Sequence, residues 1–226
     1  MSLALKDNGY EICRNVIGPS QIESLRHEAN IVTKAAGTTC VRHLRSRSSI
    51  FNSLSLSKVF LSLLPKGLRP VRSILFDKTA TENWPVLWHQ DLTIAVTEKH
   101  DVPGYAPWSD KDGSPHVQPP VSLLENMVTL RLHLDDTTAS NGALRVISGS
   151  RKNGKMPPSN INGFDEKDVT TCECLSGDVL LMSPLILHSS RRSKLPSHRR
   201  VIHFEYARDE DLDNSLQWFE NSLTYS

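Results

Sequence analysis

The sequence predicts a mainly β fold, with antiparallel sheets closed into a jelly roll or barrel and helices flanking the N-terminal side. Three observations predict it. After Gly67 the chain breaks into short runs rich in branched and aromatic residues, which pack well on a pleated surface. Clusters of Gly, Pro, Asn and Asp separate these runs, as turns between strands require. No helix-length amphipathic segment lies between them, so nothing supplies the crossovers that parallel strands need, and antiparallel pairing follows.

The first part of the chain has a different texture. Residues 10–17 read as a short strand. After the Gly18-Pro19 break, Ser20-Gln21-Ile22-Glu23 has the form of a capping box, so a helix is expected to begin at Ser20. Ile22, Leu25, Ala29 and Val32 follow at spacings of three, four and three, one stripe facing a core until Gly37. Arg42, His43, Arg45 and Arg47 lie in a Ser-rich stretch without apolar periodicity, which reads as a solvated loop. A second helix is expected at residues 55–64, because Pro65 cannot continue it. The helical part thus covers residues 18–65. Strands are expected at 71–77, 86–96, 121–134, 144–147, 169–174, 178–187 and 201–206, a β core of about residues 70–207. Between two of them, residues 97–120 hold five prolines and read as a lid-like insertion. Its Tyr105 and Trp108 are candidate substrate contacts. No repeat or linker divides the chain, so a single domain over residues 1–226 is expected.

With 226 residues, 38% of them hydrophobic, the chain can bury a core without disulfide staples. Its 26 Lys and Arg nearly balance its 25 Asp and Glu, so no domain-wide field concentrates polyanions or holds an acidic bilayer. Neither a nucleic acid nor a membrane partner is expected; recognition falls to a local site for a small molecule. No apolar run approaches the roughly 20 residues of a membrane span, and the start lacks a basic-then-apolar signal pattern. A cytoplasmic protein, monomeric or homodimeric, is the expectation. Cys13, Cys40, Cys172 and Cys174 form no C-x-x-C pair and read as reduced thiols.

Chemistry is suggested at Leu87-Trp88-His89-Gln90-Asp91. In an extended chain positions i and i+2 share a face, so His89 and Asp91 can reach one ion. One more histidine completes a two-histidine, one-carboxylate triad with open coordination positions, and His188 ends a later apolar run. The H-x-D pattern is weak alone, and His133-Leu134-Asp135 repeats it. His133 sits where Leu130, Leu132 and Leu134 alternate as a buried face, and reads as hydrogen-bonded scaffolding. His100 and His116 read as exposed loop histidines. Asn141-Gly142 reads as a turn able to adopt positive φ.

Further blocks accompany the triad: Phe76-Asp77-Lys78, Asn83-Trp84, Asn141-Gly142-Ala143-Leu144, Ser176-Gly177-Asp178-Val179-Leu180 and His188-Ser189-Ser190 leading to Arg199. In this order they resemble the phytanoyl-CoA dioxygenase-like family of Fe(II)- and 2-oxoglutarate-dependent oxygenases. The resemblance implies a cupin-like double-stranded β-helix with Fe(II) held by His89, Asp91 and His188, and 2-oxoglutarate and O2 as cosubstrates. It places Arg199, eleven residues after His188, on the far carboxylate of 2-oxoglutarate, where a planar fork suits an anion. Arg200 is the rival; Arg199 shares a face with Val201, His203 and Glu205. Ser190 and Arg131 match two further cosubstrate positions. Relatives often carry an aromatic residue where Arg131 stands, and pairing with Asp135 or Glu205 is its other reading. The activity implied is oxidation, typically hydroxylation, of an unactivated C–H bond in a small metabolite, yielding succinate and CO2. A cupin-like protein with a structural or hydrolytic metal, or a non-catalytic jelly-roll binding protein, are the alternatives.

Overall fold

The computed structural model describes residues 2–161, 164–195 and 197–221. In chain order, α1 (Leu3–Asn8), β1 (Tyr10–Cys13), α2 (Pro19–Ala36) and β2 (Cys40–Arg42) lead to three short helices, α3 (Leu44–Arg47), α4 (Ser49–Ser55) and α5 (Lys58–Ser62). Strands β3 (Arg69–Lys78), β4 (Val86–His89), β5 (Ile94–Ala95), β6 (Trp108–Lys111) and β7 (Ser114–Val117) come next. Helix α6 (Val121–Asn126) precedes β8 (Val128–His133), β9 (Leu144–Ile147), β10 (Val169–Cys172), β11 (Val179–Met182), β12 (His188–Ser190) and β13 (Arg199–Ala207).

The strands form a six-stranded sheet of order β1-β11-β8-β13-β3-β2, a four-stranded sheet β10-β9-β12-β4 and a small sheet β5-β7-β6, with antiparallel pairing throughout. This is the antiparallel β fold with N-terminal helices that the sequence predicts. Alternation along the strands gives the large sheet two different faces. Leu130, Leu132, Leu134, Ile202, Phe204 and Tyr206 pack outward against Ile22, Leu25, Ala29 and Val32 of α2. Each fully buried aliphatic side chain there contributes roughly 1.5–3 kcal/mol of transfer free energy. The other face looks toward the four-stranded sheet. At one end, Leu180 and Met182 meet Leu144 and Val146 in a dry cluster. At the other end the facing residues are polar, and register fixes which: Arg199 pairs with Lys78, Val201 with Phe76 and His133, and His203 with Ile74 and Arg131.

Several expectations need correction. Helix α2 starts one residue earlier than its capping box implies, with Gly18 as cap and no side-chain capping bond, because Pro19 has its φ already set for the first helical position. Of the expected helix at 55–64 only α5 is helical, and α4 before it ends at Ser55; Ser48 and Ser57 open these two short helices, their hydroxyls accepting from the amides of Phe51 and Phe60. The expected strand at 121–134 is α6 followed by β8. The run at 86–96 splits into β4 and β5. The 97–120 insertion holds the β6-β7 hairpin, and its His116 is fully buried rather than exposed; burial pushes that imidazole down to about 4. The four cysteines are free thiols. Among the described residues no helix is long and apolar enough to cross a membrane.

The basic stretch after Arg42 is not a solvated loop. Arg45 is 5% exposed and donates to the Pro70 carbonyl (2.9 Å) and to Asn52 Oδ1 (3.1 Å). Its guanidinium stands 3.8 Å from the fully buried carboxylate of Glu220, which also accepts from the Ser73 amide (2.7 Å) and hydroxyl (2.8 Å). Removing that carboxylate takes the acceptor from two buried Ser73 donors and the negative charge from beside Arg45. Glu220→Ala is therefore expected to lose about 3–5 kcal/mol in urea unfolding; a loss below 1 kcal/mol would show that Glu220 does not hold the C-terminal segment to β3.

Candidate active site

Strands β4 and β12 pair so that His89 and His188 are direct partners. Their rings lie 4.1 Å apart, centroid to centroid, at 51°. Each ring is oriented by its own strand: His89 Nδ1 meets the Leu87 carbonyl at 2.8 Å and His188 Nδ1 the Ile186 carbonyl at 2.9 Å. A carbonyl can only accept, so Nδ1 carries a proton in both rings and Nε2 is the atom that each ring turns toward Asp91. Asp91 follows the end of β4, where its amide donates to the Pro184 carbonyl (2.9 Å). Its carboxylate oxygens stand 3.6 Å from His89 Nε2 and 3.5 Å from His188 Nε2. Between the two, Gln90 points away and locks the turn, donating to the Gly154 and Leu185 carbonyls and accepting from the Met156 amide.

Among the described residues this is the cluster whose donor atoms could hold a metal ion, all within 4.8 Å of one another. Two imidazoles and a carboxylate converging on one point are the donor set of a facial-triad ferrous site. Burial alone opposes ionisation of Asp91, but the facing imidazoles outweigh it and hold its carboxyl well below the usual range. Burial pushes His188 down to about 4, so its ring is neutral and available as a ligand at pH 7.

The triad opens into a cavity of about 180 Å³, walled by Phe76, Trp84, Val86 and Leu144 and carrying Lys78, Arg131, Ser190, Arg199 and His203. Arg199 is 3% exposed, and among the described residues its Nε has no hydrogen-bond partner. Arg200, by contrast, grips Asp135 through two bonds (2.9 and 2.8 Å) and reaches Asn30. Lys78 is 1% exposed and donates to Ser190 Oγ (2.9 Å) and the Arg191 carbonyl (2.8 Å). Close approach here needs Gly142: at φ +82° a Cβ on it would fall 2.5 Å from the Arg191 carbonyl oxygen and 3.3 Å from Lys78 Nζ. Asn141-Gly142 therefore shapes the cavity as well as turning the chain.

Arg131 also faces the cavity. It donates to His203 Nδ1 (2.9 Å), and His203 Nε2 lies 3.1 Å from Glu205 Oε1, which Arg72 reaches at 2.9 Å. A guanidinium can only donate, so His203 keeps its proton on Nε2 and passes the contact on to Glu205. Neither expected pairing of Arg131 is direct: Asp135 belongs to Arg200 and Arg26, and Glu205 is reached through His203. His133 is scaffolding, its Nδ1 2.8 Å from Thr137 Oγ1.

The structure thus brings His89, Asp91, His188, Ser190, Arg131 and Arg199 to one cavity. It does not bring Tyr105 or Trp108 there. Tyr105 is buried in a separate cluster with Val71, Ile94 and Trp218, against which Trp108 also packs, and its hydroxyl accepts from the Asp213 amide (3.2 Å). Aromatics on a Pro-rich hairpin bury themselves against the nearest apolar surface, and here that surface lies under β5-β7-β6. Lys78, Phe76 and His203 line the cavity without having been identified from the sequence as site residues. The usable signal was register: each sits on the strand face that also carries Arg199.

The sequence profile of the phytanoyl-CoA dioxygenase (PhyH) family matches residues 5–201. No match was found among curated proteins. Among solved structures, HygX from Streptomyces hygroscopicus, with nickel and 2-oxoglutarate bound, is similar at a TM-score of 0.64 and 19% identity, over 91% of this chain and 84% of its own. SnoK, a non-heme α-ketoglutarate-dependent carbocyclase from nogalamycin biosynthesis, gives 0.64 at 15% identity, over 91% and 81%. EctD from S. alaskensis, in its apo form, gives 0.71 at 16%, over 96% and 78%. At such identities these three support the fold, a cupin-like double-stranded β-helix, while the profile match over most of the length decides the family. The chain belongs to the phytanoyl-CoA dioxygenase family, and so to the 2-oxoglutarate-dependent dioxygenases.

Proposed function

We propose that the chain is one catalytic domain that oxidises a C–H bond of a small organic molecule at the expense of 2-oxoglutarate and O2. The reaction is R–H + 2-oxoglutarate + O2 → R–OH + succinate + CO2; desaturation or ring closure follows when the pocket holds the substrate differently. His89, Asp91 and His188 would hold Fe(II), whose chemistry couples decarboxylation of the keto acid to C–H oxidation. Arg199 and Ser190 take the far carboxylate of 2-oxoglutarate, and Arg131 faces the cosubstrate from the strand next to that of Arg199. Phe76, Trp84, Val86 and Leu144 exclude water and leave room for the substrate at the mouth.

One observation carries this reading: a buried guanidinium, without an ion-pair partner among the described residues, shares a cavity with two imidazoles and a carboxylate. A structural or hydrolytic metal has no use for that cation. HygX, with 2-oxoglutarate and hygromycin B both bound, shows that the same fold admits cosubstrate and substrate together. The test is anaerobic titration of the protein with Fe(II) and 2-oxoglutarate, followed by admission of O2. A weak visible absorption band that needs both additions, and slow succinate formation afterwards, are expected; zinc retained through purification with no such band and no succinate would overturn the reading.

A further inference from the structure

The cavity holds more positive charge than a single arginine provides. Lys78, Arg131 and Arg199 all line it, and the acid lining it is Asp91, already committed to the two histidines. Lys78 and Arg199 are cross-strand partners, so their side chains lie on one face, and Lys78 leans onto Ser190 of the opposite sheet. Arg131 enters from the neighbouring strand, its cation over the Phe76 ring at 5.7 Å and one arm fixed by His203. Among the described residues none of the three makes an ion pair with a carboxylate, and Nε of both arginines lacks a hydrogen-bond partner. Buried charges left this way are costly unless they receive an anion.

We propose that Lys78, Arg131 and Arg199 form a receptor for dicarboxylates that binds its ligand without the metal. This rests on reading the cavity as the cosubstrate site. An entering dianion breaks no existing ion pair and meets side chains whose desolvation and ordering folding has already covered, the condition for strong preorganised binding. Lys78 and Arg199 with Ser190 take one carboxylate, while Arg131 takes the other, held in place through His203, Glu205 and Arg72. Succinate carries the same two carboxylates, so the receptor holds the product as well as the cosubstrate.

The groups facing Lys78 give the receptor a proton signature. Burial, then the cations of Arg199, Arg131 and Arg192, push Lys78 down to about 7, while the Ser190 hydroxyl, the Arg191 carbonyl and the Trp84 ring complete its surroundings. At pH 8 the amine is largely neutral, and a dianion beside it draws a proton on. Binding therefore weakens from pH 7 to pH 8.5.

The experiment is calorimetric titration of chelator-stripped full-length protein with 2-oxoglutarate, succinate and 2-oxobutyrate, the last a keto acid without the far carboxylate. Both dicarboxylates are expected to bind, 2-oxobutyrate at least tenfold more weakly. Lys78→Met and Arg131→Met should each weaken succinate at least tenfold, with Tm confirming that the variants fold. At pH 8 the heats in two buffers of different ionisation enthalpy should differ by the uptake of a proton. Should a variant not fold, the wild-type preference for two carboxylates and the buffer dependence still decide. Dicarboxylate binding only after Fe(II) is restored would overturn the metal-free receptor and leave the proposed reaction standing; no binding with or without Fe(II) would overturn both. Equal heats in the two buffers would remove Lys78 from the receptor.

Discussion

Asp91→Ala is expected to lower 2-oxoglutarate turnover at least about a thousandfold, equivalent to about 4 kcal/mol of barrier, while leaving the fold intact. The two halves of that expectation come from different contacts. Among the described residues the Asp91 side chain is placed by the two imidazoles it faces, whereas the backbone there is fixed by its own amide on Pro184 and by Gln90. Truncation therefore removes a ligand without loosening the turn. What remains is a pair of neutral imidazoles, which bind a divalent ion far more weakly than when a carboxylate completes the set. Asp91→Glu keeps the charge but moves it by a methylene, and should recover part of the loss when Fe(II) is raised. Succinate formation against Fe(II) concentration measures both variants. Full turnover in Asp91→Ala at stoichiometric Fe(II) would remove this residue from the metal site.

How much of this was legible before any coordinates depends on whether a residue's neighbours are near in sequence. His89 and Asp91 are two apart on a strand end, and a period of two states their common direction outright. The same period separates Arg199 from Arg200 and puts Leu130, Leu132 and Leu134 on the helix-facing side. Lys78 was not legible as a site residue, because a lysine ending a strand ordinarily points to water. It is buried by the side-chain-free approach of Gly142 and by a partner 121 positions away. Arg45 is the same case, since the acid that permits its burial lies 175 positions later. The run 121–134 failed for another reason. A long apolar stretch is compatible with either period, and the chain uses both, with Met127 as the junction. Tyr105 and Trp108 were placed by loop position alone, which says nothing about which surface a hairpin covers.

The neighbouring arginines offer an expected result of opposite sign at adjacent positions. Arg199→Met should raise the KM for 2-oxoglutarate about a hundredfold, the loss of charge-assisted contacts worth about 3 kcal/mol, and should leave Tm unchanged or a few degrees higher. Arg199 faces the cavity and makes no ion pair among the described residues, and burial followed by the repulsion of Arg131 lowers its guanidinium to about 9. It is still charged at neutral pH, a buried cation held against that repulsion, and methionine removes it at similar volume. Arg200→Met should do the reverse. Its guanidinium forms a bidentate pair with Asp135, and truncation leaves that half-buried acid to Arg26 at 3.2 Å, a loss of about 2–4 kcal/mol in stability with KM unchanged. Because both substitutions delete the same group one residue apart on the same strand, any general weakening of β13 would appear in both. A crossed pattern, function lost at one and stability at the other, can arise only if the strand turns residue 199 inward and residue 200 outward. If Arg200→Met raised KM and Arg199→Met lowered Tm, the cosubstrate would have to be sought on the other side of the sheet.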